Sequence, residues 1–414
     1  MTPLDALYAA TLPIFAAALL PDKRRFGELT SSVARLFSPP AYRCADVLLH
    51  AVSVGEVRVA AAVAHYLLRK GLSTLITATT RRGLQTAAKT GLPFAPAPPD
   101  FSCAVNRLLR RVSPKVLVLV ELELWPNLVL AAARRCALVI ANARMTEAAF
   151  ARYLAAKPIL TPIIKRVDLV LAQNPLYAER FLRLGFERVE AVGNIKYDAA
   201  PTPISAEERE AIRQELGVGK GDFVVVGGST YRVEEEGLLE ACRDYIGKGM
   251  RVVLAPRQGD HFPQLEEAIR RRGLRFARRS SQPTSEWDVL IVDTVGELVR
   301  IYAAADVAFV GGTLFAGKGG HNVIEPAGLG VGVVCGKHYE NFKDAVVMLK
   351  AARGLVVVDD AAELKQKLKA LFEDRLSVKK MGEAAAKAVN LARGATERTA
   401  QKIAELICLP SSAC

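Results

Sequence analysis

Two segments in the first half of the chain end an apolar run in a carboxylate. The segment VLLHAVSVGE (47–56) reaches Glu56, and VLVLVELELWPN (116–127) passes directly into Glu121 and Glu123. Side chains two residues apart leave an extended strand on the same side, so Glu121 and Glu123 are expected either both beside a cleft or both in solvent. Glu121 is nearer the strand end and is the better candidate. A carboxylate placed at such a position can act as a general base.

Two roles fit Glu56. Ser53 precedes it by three residues, which is the spacing of a capping box at the start of a helix. A strand end that faces a cleft would instead let the carboxylate take a proton from a ligand, with Gly55 leaving room for that ligand. The local sequence does not choose between these two roles.

The most specific segment, GGTLFAGKGGHNVIEPAG (311–328), lies in the second half. Its glycines, Gly320 among them, allow the backbone to approach a ligand closely. We expect residues 319–322 to enter a short helix whose free N–H groups and positive dipole end face an anion. Glu325 lies one turn beyond Asn322 and could accept two hydrogen bonds from a ribose diol. A glycine-rich turn followed by a surface helix is the alternative.

Two other strand ends in the second half carry groups that suit a nucleotide. The strand predicted at 223–229 leads to Ser229 and Thr230, whose hydroxyl and backbone N–H groups can meet a phosphate. The strand at 251–257 ends in Pro256 and Arg257, which could stack on a base and hydrogen-bond to it. A surface turn is the alternative for this second pair.

Two cations follow strands in the first half. Arg144 comes after the strand predicted at 137–143, and Lys196 lies just before the junction between the two halves. Lys196 could face a phosphate or a carboxylate across a cleft, or it could be a simple hinge residue.

Several enzyme classes are disfavoured because their motifs are missing from the sequence. It contains no HExxH, GxSxG, P-loop or DxD pattern, which argues against metalloproteases, serine hydrolases, ATPases and metal-dependent glycosyltransferases. The seven cysteines are widely spaced, without a CxxC pair, which argues against a zinc site and for a reducing compartment. We therefore expect neither a metal ion nor a cofactor.

The elements that must position these residues alternate regularly. Short β-branched runs are separated by longer segments rich in Ala, Leu and charge, which is typical of repeated strand–helix units in a parallel sheet. Five strands are predicted in each half, at 47–52, 72–78, 116–120, 137–143 and 169–173, and at 223–229, 251–257, 288–293, 307–313 and 331–337. Ligands of parallel sheets bind beyond the carboxyl ends of the strands, which is where the candidate residues lie.

The proline-containing segment 199–209 reads as a linker between two Rossmann-like halves, and 414 residues are enough for two domains. A helical stretch rich in Ala and charge, interrupted near Arg393, closes the chain. Two such halves without an overt GxGxxG suggest a cleft between domains. That architecture suits a sugar-nucleotide enzyme, an epimerase or a periplasmic-type binding protein.

The positive charge is concentrated in the first half of the chain. Residues 1–200 contain 26 Lys and Arg against 14 Asp and Glu, whereas residues 201–414 contain 30 against 29. This asymmetry predicts that the first half faces something anionic, either nucleic acid or a membrane surface. The basic residues lack the aromatic interleaving of a strand-binding groove, so nucleic acid is disfavoured.

The N-terminal segment predicts contact with a membrane. Residues 4–20 are almost entirely apolar and are followed by Lys23, Arg24 and Arg25. A signal peptide would have the opposite order, and the stretch is short for a membrane span. We favour a membrane-surface or shallow anchor whose basic flank is held at a cytoplasmic leaflet. The alternative is a helix that packs on the first domain.

Taken together, the motifs resemble those of the 3-deoxy-D-manno-octulosonic acid (Kdo) transferases of lipopolysaccharide assembly. The resemblance runs over nearly the whole chain, in the same order. It is carried by HAVSVGE (50–56), ELELWPN (121–127), NARMT (142–146), VGNIKYD (192–198), GGST (227–230), APR (255–257), VDTVGEL (292–298), GGTL (311–314), GGHNVIEPA (319–327) and NFKD (341–344).

The resemblance implies an α/β protein of GT-B fold, with two Rossmann-like domains whose parallel sheets face across a cleft. Residues 1–40 would be a membrane-associated segment, 41–200 an acceptor-binding domain, 201–385 a CMP-Kdo-binding domain, and 386–414 a helix packing back on the first domain. The implied reaction is metal-independent, inverting transfer of Kdo from CMP-Kdo to a lipid A precursor, lipid IVA. It would occur at the cytoplasmic face of the bacterial inner membrane.

The resemblance also implies roles for individual residues. By position, Glu56 resembles the general base, with Glu121 and Lys196 as the other catalytic residues, and Ser53, Gly55 and Arg144 on the acceptor side. On the donor side, Pro256 and Arg257 would contact cytosine, Ser229 and Asn322 phosphate, and Glu325 ribose, with Thr230 and Gly320 beside them. The chain departs from the family pattern at Tyr231-Arg232-Val233, where a His and a nearby Gly are usual, and at Gln258, where a His is usual.

Two rival functions remain on the sequence alone. One is a different nucleotide-sugar enzyme of the same architecture, such as a UDP-sugar transferase or an epimerase. The other is a non-catalytic protein that binds a lipid or a nucleotide.

Overall fold

The computed structural model describes residues 2–19, 27, 30, 31, 33, 34, 36, 41–281, 283 and 286–408. The chain forms two compact units. The first consists of Met1–Asp198 together with Arg393–Cys414, and the second of Ala199–Ala392. The predicted basic flank at Lys23, Arg24 and Arg25 lies outside the described residues.

The first unit contains a seven-stranded parallel sheet in the order β3-β2-β1-β4-β5-β6-β7. The central strands are buried along their whole length, and alternate side chains face opposite layers. Leu48 packs into one hydrophobic cluster and Leu49 into the other. The strands are β1 (Val47–Ala51), β2 (Thr74–Ala78), β3 (Phe94–Pro96), β4 (Val116–Val120), β5 (Ala137–Ala143), β6 (Leu169–Ala172) and β7 (Val189–Ala191).

Helices cover both faces of this sheet, and the last helix of the chain belongs to this unit. Its residues Ala395, Ala400 and Ile403 are fully buried in the cluster that contains Leu49. The helices are α1 (Pro3–Leu19), α2 (Val54–Arg69), α3 (Arg81–Ala88), α4 (Ser102–Val112), α5 (Pro126–Ala132), α6 (Glu147–Ala155), α7 (Lys157–Ile164), α8 (Pro175–Leu184) and the terminal α17 (Ala395–Cys408), with a 3-10 turn at Ile195–Tyr197.

The carboxylate of Asp198, the last residue of the first chain segment in this unit, attaches the terminal helix to it. Asp198 accepts hydrogen bonds from the Gly394 N–H at 2.5 Å and the Thr396 N–H at 2.6 Å. It therefore caps the first turn of α17, whose N–H groups have no partner within the helix.

The second unit repeats the plan with a seven-stranded parallel sheet in the order β10-β11-β9-β8-β12-β13-β14. Its strands are β8 (Phe223–Thr230), β9 (Met250–Pro256), β10 (Phe276–Arg278), β11 (Val289–Ile291), β12 (Val307–Val310), β13 (Gly332–Gly336) and β14 (Leu355–Val358). Its helices are α9 (Ala206–Glu215), α10 (Arg232–Cys242), α11 (Phe262–Arg270), α12 (Leu298–Ala304), α13 (Ile324–Gly328), α14 (Lys343–Ala351), α15 (Ala361–Glu373) and α16 (Arg375–Leu391), with 3-10 turns at Arg279–Ser281 and Glu340–Phe342.

All ten predicted strands are present, with small shifts at their ends, but each sheet has two strands that were not predicted. These are β3 and β7 in the first sheet and β10 and β14 in the second, and all four are the edge strands. Edge strands are short and bury only part of their side chains, so they lack the continuous apolar run that marks a central parallel strand.

Close packing at the carboxyl end of β8 depends on the absence of a side chain. A Cβ atom on Gly228 would lie 1.8 Å from the hydroxyl oxygen of Tyr302, whose side chain is fully buried in α12. Strand β8 and helix α12 can approach this closely only because residue 228 is glycine.

We expect Gly228→Ala to lower the free energy of unfolding by about 1–3 kcal/mol, because the new methyl group must displace a buried aromatic ring. Urea denaturation measures the change. The matched control is Gly237→Ala in α10, where a Cβ atom would lie 3.7 Å from the nearest atom, Ala361 Cβ, in ordinary contact. A Gly228→Ala protein as stable as the control would show that Tyr302 moves aside freely.

Candidate active site

The candidate residues of the first unit lie at the carboxyl edge of three adjacent strands. Glu56 follows β1, Glu121 and Glu123 follow β4, and Arg144 follows β5, and these strands are neighbours in the order β1-β4-β5. The negative charges of Glu56 and Glu121 both act on Glu123, so the three carboxylates form one cluster. Arg144 is half-buried at the same edge.

Glu56 lies in the first turn of α2 and forms the predicted capping box with Ser53. Its Oε2 accepts the Val52 N–H at 2.8 Å, and its Oε1 accepts the Ser53 hydroxyl at 2.6 Å and the Ser53 N–H at 3.3 Å. The side chain is buried, with 7% of its surface exposed. In the free protein, this capping role explains why a carboxylate is buried at position 56. A carboxylate has about four acceptor positions, so one remains for a further donor.

Glu121 begins a turn with unusual backbone geometry. Its φ of 64° is in the left-handed region, and its N–H donates to the Ala141 carbonyl at 2.9 Å, which ties the turn to β5. Its Oε1 accepts from Lys196 Nζ at 3.3 Å. The structure thus pairs two of the predicted catalytic residues, which are 75 positions apart in the sequence.

Glu123 is the third carboxylate, and the sequence prediction placed it second to Glu121. Burial raises its pKa, the hydrogen bond from Trp125 opposes that rise, and the charges of Glu56 and Glu121 add to it. The Trp125 Nε1–H donates to Glu123 Oε2 at 2.9 Å. Trp125 and His50 form a T-shaped pair with ring centroids 5.1 Å apart. Burial lowers the pKa of His50 to about 4, so this histidine is neutral.

The position of Lys196 depends on three amide side chains that the prediction did not include. Asn142 is fully buried with φ 53°, and its Oδ1 accepts the Ile195 N–H at 3.0 Å. Gln173 Nε2 donates to the Asn142 carbonyl at 2.9 Å, and Asn194 Nδ2 donates to Gln173 Oε1 at 3.1 Å. For the two asparagines, the signal in the sequence was the pair of short motifs NAR and GNIK, each with an Asn two positions before the predicted cation.

In the second unit, one buried glutamate organises the glycine-rich loop. Glu234, in the first turn of α10, accepts the N–H groups of Gly312 and Thr313 at 2.8 Å, and those of Leu314 and Tyr231 at 3.1 Å. The carboxylate is completely buried. It holds the loops after β8 and β12 together at the carboxyl edge of the second sheet.

The predicted donor residues at the carboxyl ends of β8 and β9 differ in exposure. Ser229 has φ 54° and is half-buried, whereas Thr230 is fully buried and its hydroxyl donates to Glu235 Oε1 at 3.0 Å. Pro256 pairs with Thr230 across the sheet, and the Arg257 N–H donates to the Thr230 carbonyl at 2.8 Å. The Arg257 side chain is exposed at this edge.

The expected helix at residues 319–322 begins later than predicted. Helix α13 starts at Ile324, and Asn322 precedes it, with its Oδ1 accepting the Ile324 N–H at 3.0 Å. Gly320 has φ 79°, and its N–H donates to the Gly312 carbonyl at 2.8 Å, so the glycines form a loop. Only Glu325 of the predicted ligand residues lies in the helix. The sequence prediction was wrong here because positive φ values at the glycines exclude a continuous helix.

An aromatic and cationic group lies on this loop. His321 stacks on Tyr231 with ring centroids 5.8 Å apart, and Lys318 Nζ lies 4.8 Å from the Tyr231 ring centroid. Burial, together with the positive charges of Arg257 and Lys318, lowers the pKa of His321 to about 4. His321 is therefore neutral at neutral pH, and the positive charges of Arg257 and Lys318 act on it. Within the described part of the chain, no three His, Cys, Asp or Glu side chains are grouped as a metal site requires.

Known proteins of the same family match most of the chain. Residues 23–199 match the family model described as 3-deoxy-D-manno-octulosonic-acid transferase (kdotransferase). The chain is 30% identical over 366 residues to the 3-deoxy-D-manno-octulosonic acid transferase of Haemophilus influenzae, covering 85% of each protein. It is 32% identical over 378 residues to that of Bordetella pertussis, covering 87% of each.

Among solved structures, a glycosyltransferase from Rickettsia africae superposes with a TM-score of 0.63 at 12% identity, covering 89% of this chain and 100% of that one. At this identity the likeness concerns the fold alone, and the two parallel Rossmann-like sheets are those of a GT-B glycosyltransferase. The two relatives determine the family within that fold: the chain belongs to the Kdo transferases.

Proposed function

We propose that the protein transfers Kdo from CMP-Kdo to a lipid A precursor, with inversion at the sugar carbon and without a metal ion. Membership of the Kdo transferase family supports the sugar and the class of reaction. The structural observation that carries the proposal is Glu56, whose two oxygens are held by hydrogen bonds from its own loop beside two other carboxylates.

The acceptor hydroxyl is a poor nucleophile until its proton is removed. Glu56 is the base on this proposal, because its bonds to the 52–53 loop fix its orientation and leave an acceptor position open. Such a positioned base contributes about 10²–10⁴-fold to the rate. Glu121 and Glu123 lie at the same edge of the sheet, after the strand that pairs with β1. Ser53, Gly55 and Arg144 would face the acceptor.

The donor would bind at the carboxyl edge of the second sheet. Arg257 and Lys318 supply positive charge for a leaving group that departs as a phosphate, which is the task a metal ion performs in other transferases. Asn322 uses its Oδ1 to accept the Ile324 N–H, and its amide N–H groups would bind a phosphate oxygen, with Ser229 at the same edge.

The nucleoside would be bound by the neighbouring residues. Pro256 and Arg257 would contact the cytosine, and Glu325 would contact the ribose. Gly320 would let the backbone approach the donor closely. Thr230 would act indirectly, through the hydrogen bond that its hydroxyl donates to Glu235.

The proposal places the protein peripherally on the cytoplasmic face of the inner membrane. None of the helices in the described ranges has both the length and the apolar character to cross a bilayer. Pro3, Ala6, Leu7 and Ala10 form an exposed apolar face of α1, with Leu7 56% exposed. The excess of basic residues in the first half suits an anionic surface and a phosphorylated acceptor.

Glu56→Gln should abolish Kdo transfer while CMP binding is retained. Glutamine keeps an oxygen for the Ser53 donors but must point its N–H groups at the Val52 N–H, so the variant is assayed at a temperature where it is folded. An amide cannot accept the proton, and the rate should fall by about 10²–10⁴-fold. The assay supplies CMP-Kdo in situ with a lipid A precursor and measures the lipid product by mass spectrometry.

Glu147→Gln is the matched control, because Glu147 is an exposed carboxylate at the start of α6. Thermal shift with CMP and with UDP accompanies the assay, since protection by UDP alone would indicate a different nucleotide-sugar enzyme. Turnover by Glu56→Gln equal to that of the control would exclude Glu56 as the base.

Gly55→Ala should stabilise the protein and impair acceptor binding. Gly55 is exposed in the first turn of α2, and a new Cβ would meet nothing nearer than Ser53 Oγ at 3.9 Å. Alanine in a helix is favoured over glycine by about 0.5–1 kcal/mol. If this surface faces the acceptor, the methyl group raises the acceptor KM. A more stable protein with unchanged KM would mean that the acceptor does not lie against Gly55.

Leu7→Asp should weaken binding to vesicles that contain anionic lipid, since burial of one leucine is worth about 1.5–3 kcal/mol. Activity on detergent-dispersed acceptor should be retained, because Leu7 points away from the folded unit. Leu68→Asp is the control; Leu68 is 41% exposed near the far end of α2. Equal vesicle binding by both variants would show that α1 is not part of the membrane contact.

A further inference from the structure

Asn127 closes the ELELWPN motif, and the chemistry above does not use it. The residue is 3% exposed. Its backbone N–H and both polar atoms of its side chain have hydrogen-bond partners. Its N–H donates to Asp100 Oδ2 at 3.0 Å, and its Nδ2 donates to the Asp100 carbonyl at 2.6 Å and to Asp5 Oδ1 at 3.2 Å. Its Oδ1 accepts from the Thr2 hydroxyl at 3.0 Å. Two of these partners belong to the N-terminus of the chain.

Asp5 is buried in the same network, with 3% of its surface exposed. Its Oδ1 accepts the Ser102 N–H at 2.8 Å, and its Oδ2 accepts the Ser102 hydroxyl at 2.5 Å and the Thr2 N–H at 2.7 Å. It thereby caps α4, which has no capping side chain of its own at Phe101. Burial opposes ionisation of Asp5, but the hydrogen bonds from Ser102 and Thr2 prevail and lower its pKa to about 2.

Asp100 caps the next helix, α5, in the same way. Its two carboxylate oxygens accept the N–H groups of Asn127 and Leu128 in the first turn of α5, and Tyr8 of α1 donates its hydroxyl to Asp100 Oδ2 at 3.2 Å. Burial raises the pKa of Asp100 to about 6. Asp5 and Tyr8 are three residues apart and share one face of α1, so the first turns of α1 are attached to the starts of both α4 and α5.

The start of α5 is also one end of the segment that carries the carboxylates. Strand β4 ends at Val120 and α5 begins at Pro126, so residues 121–125 span the gap between them. This carboxylate segment contains Glu121, Glu123 and Trp125. Its first end is held by the sheet, and its second end is held by the bonds that Asp5 and Asp100 make to Asn127.

We propose that the N-terminal docking network (Thr2, Asp5, Tyr8, Asp100, Ser102 and Asn127) positions the carboxylate segment for catalysis. Asp5 and Tyr8 of α1 then support the acceptor side of the active site from behind the segment, in addition to any contact of α1 with a membrane. This inference rests on the proposed function, in which Glu121 and Glu123 lie beside the base. Asp5 and Asn127 act through Trp125 and Glu123 and are positioning residues. A displacement of about 1 Å at a reacting group can cost about 100-fold in rate.

The test compares Asp5→Asn and Asn127→Ala with two matched controls in the same unit. In Asp5→Asn the new amide must point one N–H at the N–H of Thr2 or Ser102, because each carboxylate oxygen accepts a backbone N–H. Asp46→Asn removes a comparable carboxylate, which accepts from Ser73 and Lys115 and whose pKa these hydrogen bonds also lower to about 2. It lies at the amino ends of β1 and β4. Asn106→Ala removes a half-buried amide of α4 whose hydrogen bonds join the Ser102 carbonyl and Arg135.

Kinetics are measured with a detergent-dispersed acceptor, which removes membrane attachment from the comparison, and at a temperature where every variant is folded. The expected result is a fall in kcat/KM of about 10-fold to 100-fold for Asp5→Asn and Asn127→Ala, mostly in kcat, with little change for the controls. Each control loses a partly buried hydrogen-bonding group, so the controls show how much of the change comes from stability alone.

Trp125 provides a readout that does not need activity. The chain has two tryptophans, so Trp287→Phe leaves Trp125 as the single tryptophan, which is excited selectively at the red edge of its absorption. In that background, Asp5→Asn and Asn127→Ala should shift the emission to the red and increase quenching by acrylamide, whereas Asp46→Asn and Asn106→Ala should not.

Unchanged Trp125 emission and kcat/KM in the two network variants would overturn the proposal and leave the network as a stabilising contact only. A wild-type protein with no transfer activity would instead contradict the proposed function. The Trp125 measurement would still decide in that case whether the network positions the segment.

Discussion

Buried carboxylates that accept backbone N–H groups are the interaction on which the loops of both units depend. Parallel strands lead into helix starts whose N–H groups have no partner in the sheet or in the helix. Glu56 accepts two such groups in the first unit, and Glu234 accepts four in the second. Asp5 and Asp100 do the same for α4 and α5. A buried N–H left unpaired costs about 1–3 kcal/mol, so each loop is held by the carboxylate it surrounds.

Glu56 shows how this constraint serves chemistry. The sequence suggested a choice between capping a helix and taking a proton, and the geometry makes the two roles compatible. The cap uses backbone and hydroxyl donors on the loop side of the carboxylate and leaves acceptor capacity for a ligand. A base that is already oriented by the fold needs little reorganisation when the substrate binds. The adjacent Glu123, with its raised pKa, marks the same edge as an electrostatically unusual place.

The ten central strands could be predicted because each is a run of apolar residues buried on both faces, and such runs are visible without any knowledge of the partners. The four edge strands were missed for the converse reason. Residues 276–278, for example, are only half-buried, and their strand exists because β11 offers hydrogen bonds on one side. The late start of α13 was missed because the glycines at 319 and 320 take positive φ values that a helix pattern does not reveal.

The sequence by itself determined which chemistry the chain carries and at which strand ends, since Glu56, Glu121 and Lys196 each follow a recognisable apolar run or motif. Only the tertiary structure decided which of these groups meet. Glu121 reaches Lys196 and Asn142 holds Ile195 because the turn at Ile195–Tyr197 lies at the carboxyl ends of β4 and β5, and Glu56 joins this edge because β1 pairs with β4, although β2 and β3 separate the two strands along the chain. Asp5 meets Asn127 across 122 residues. Such pairings depend on long-range packing and strand order, which no local pattern of residue types contains.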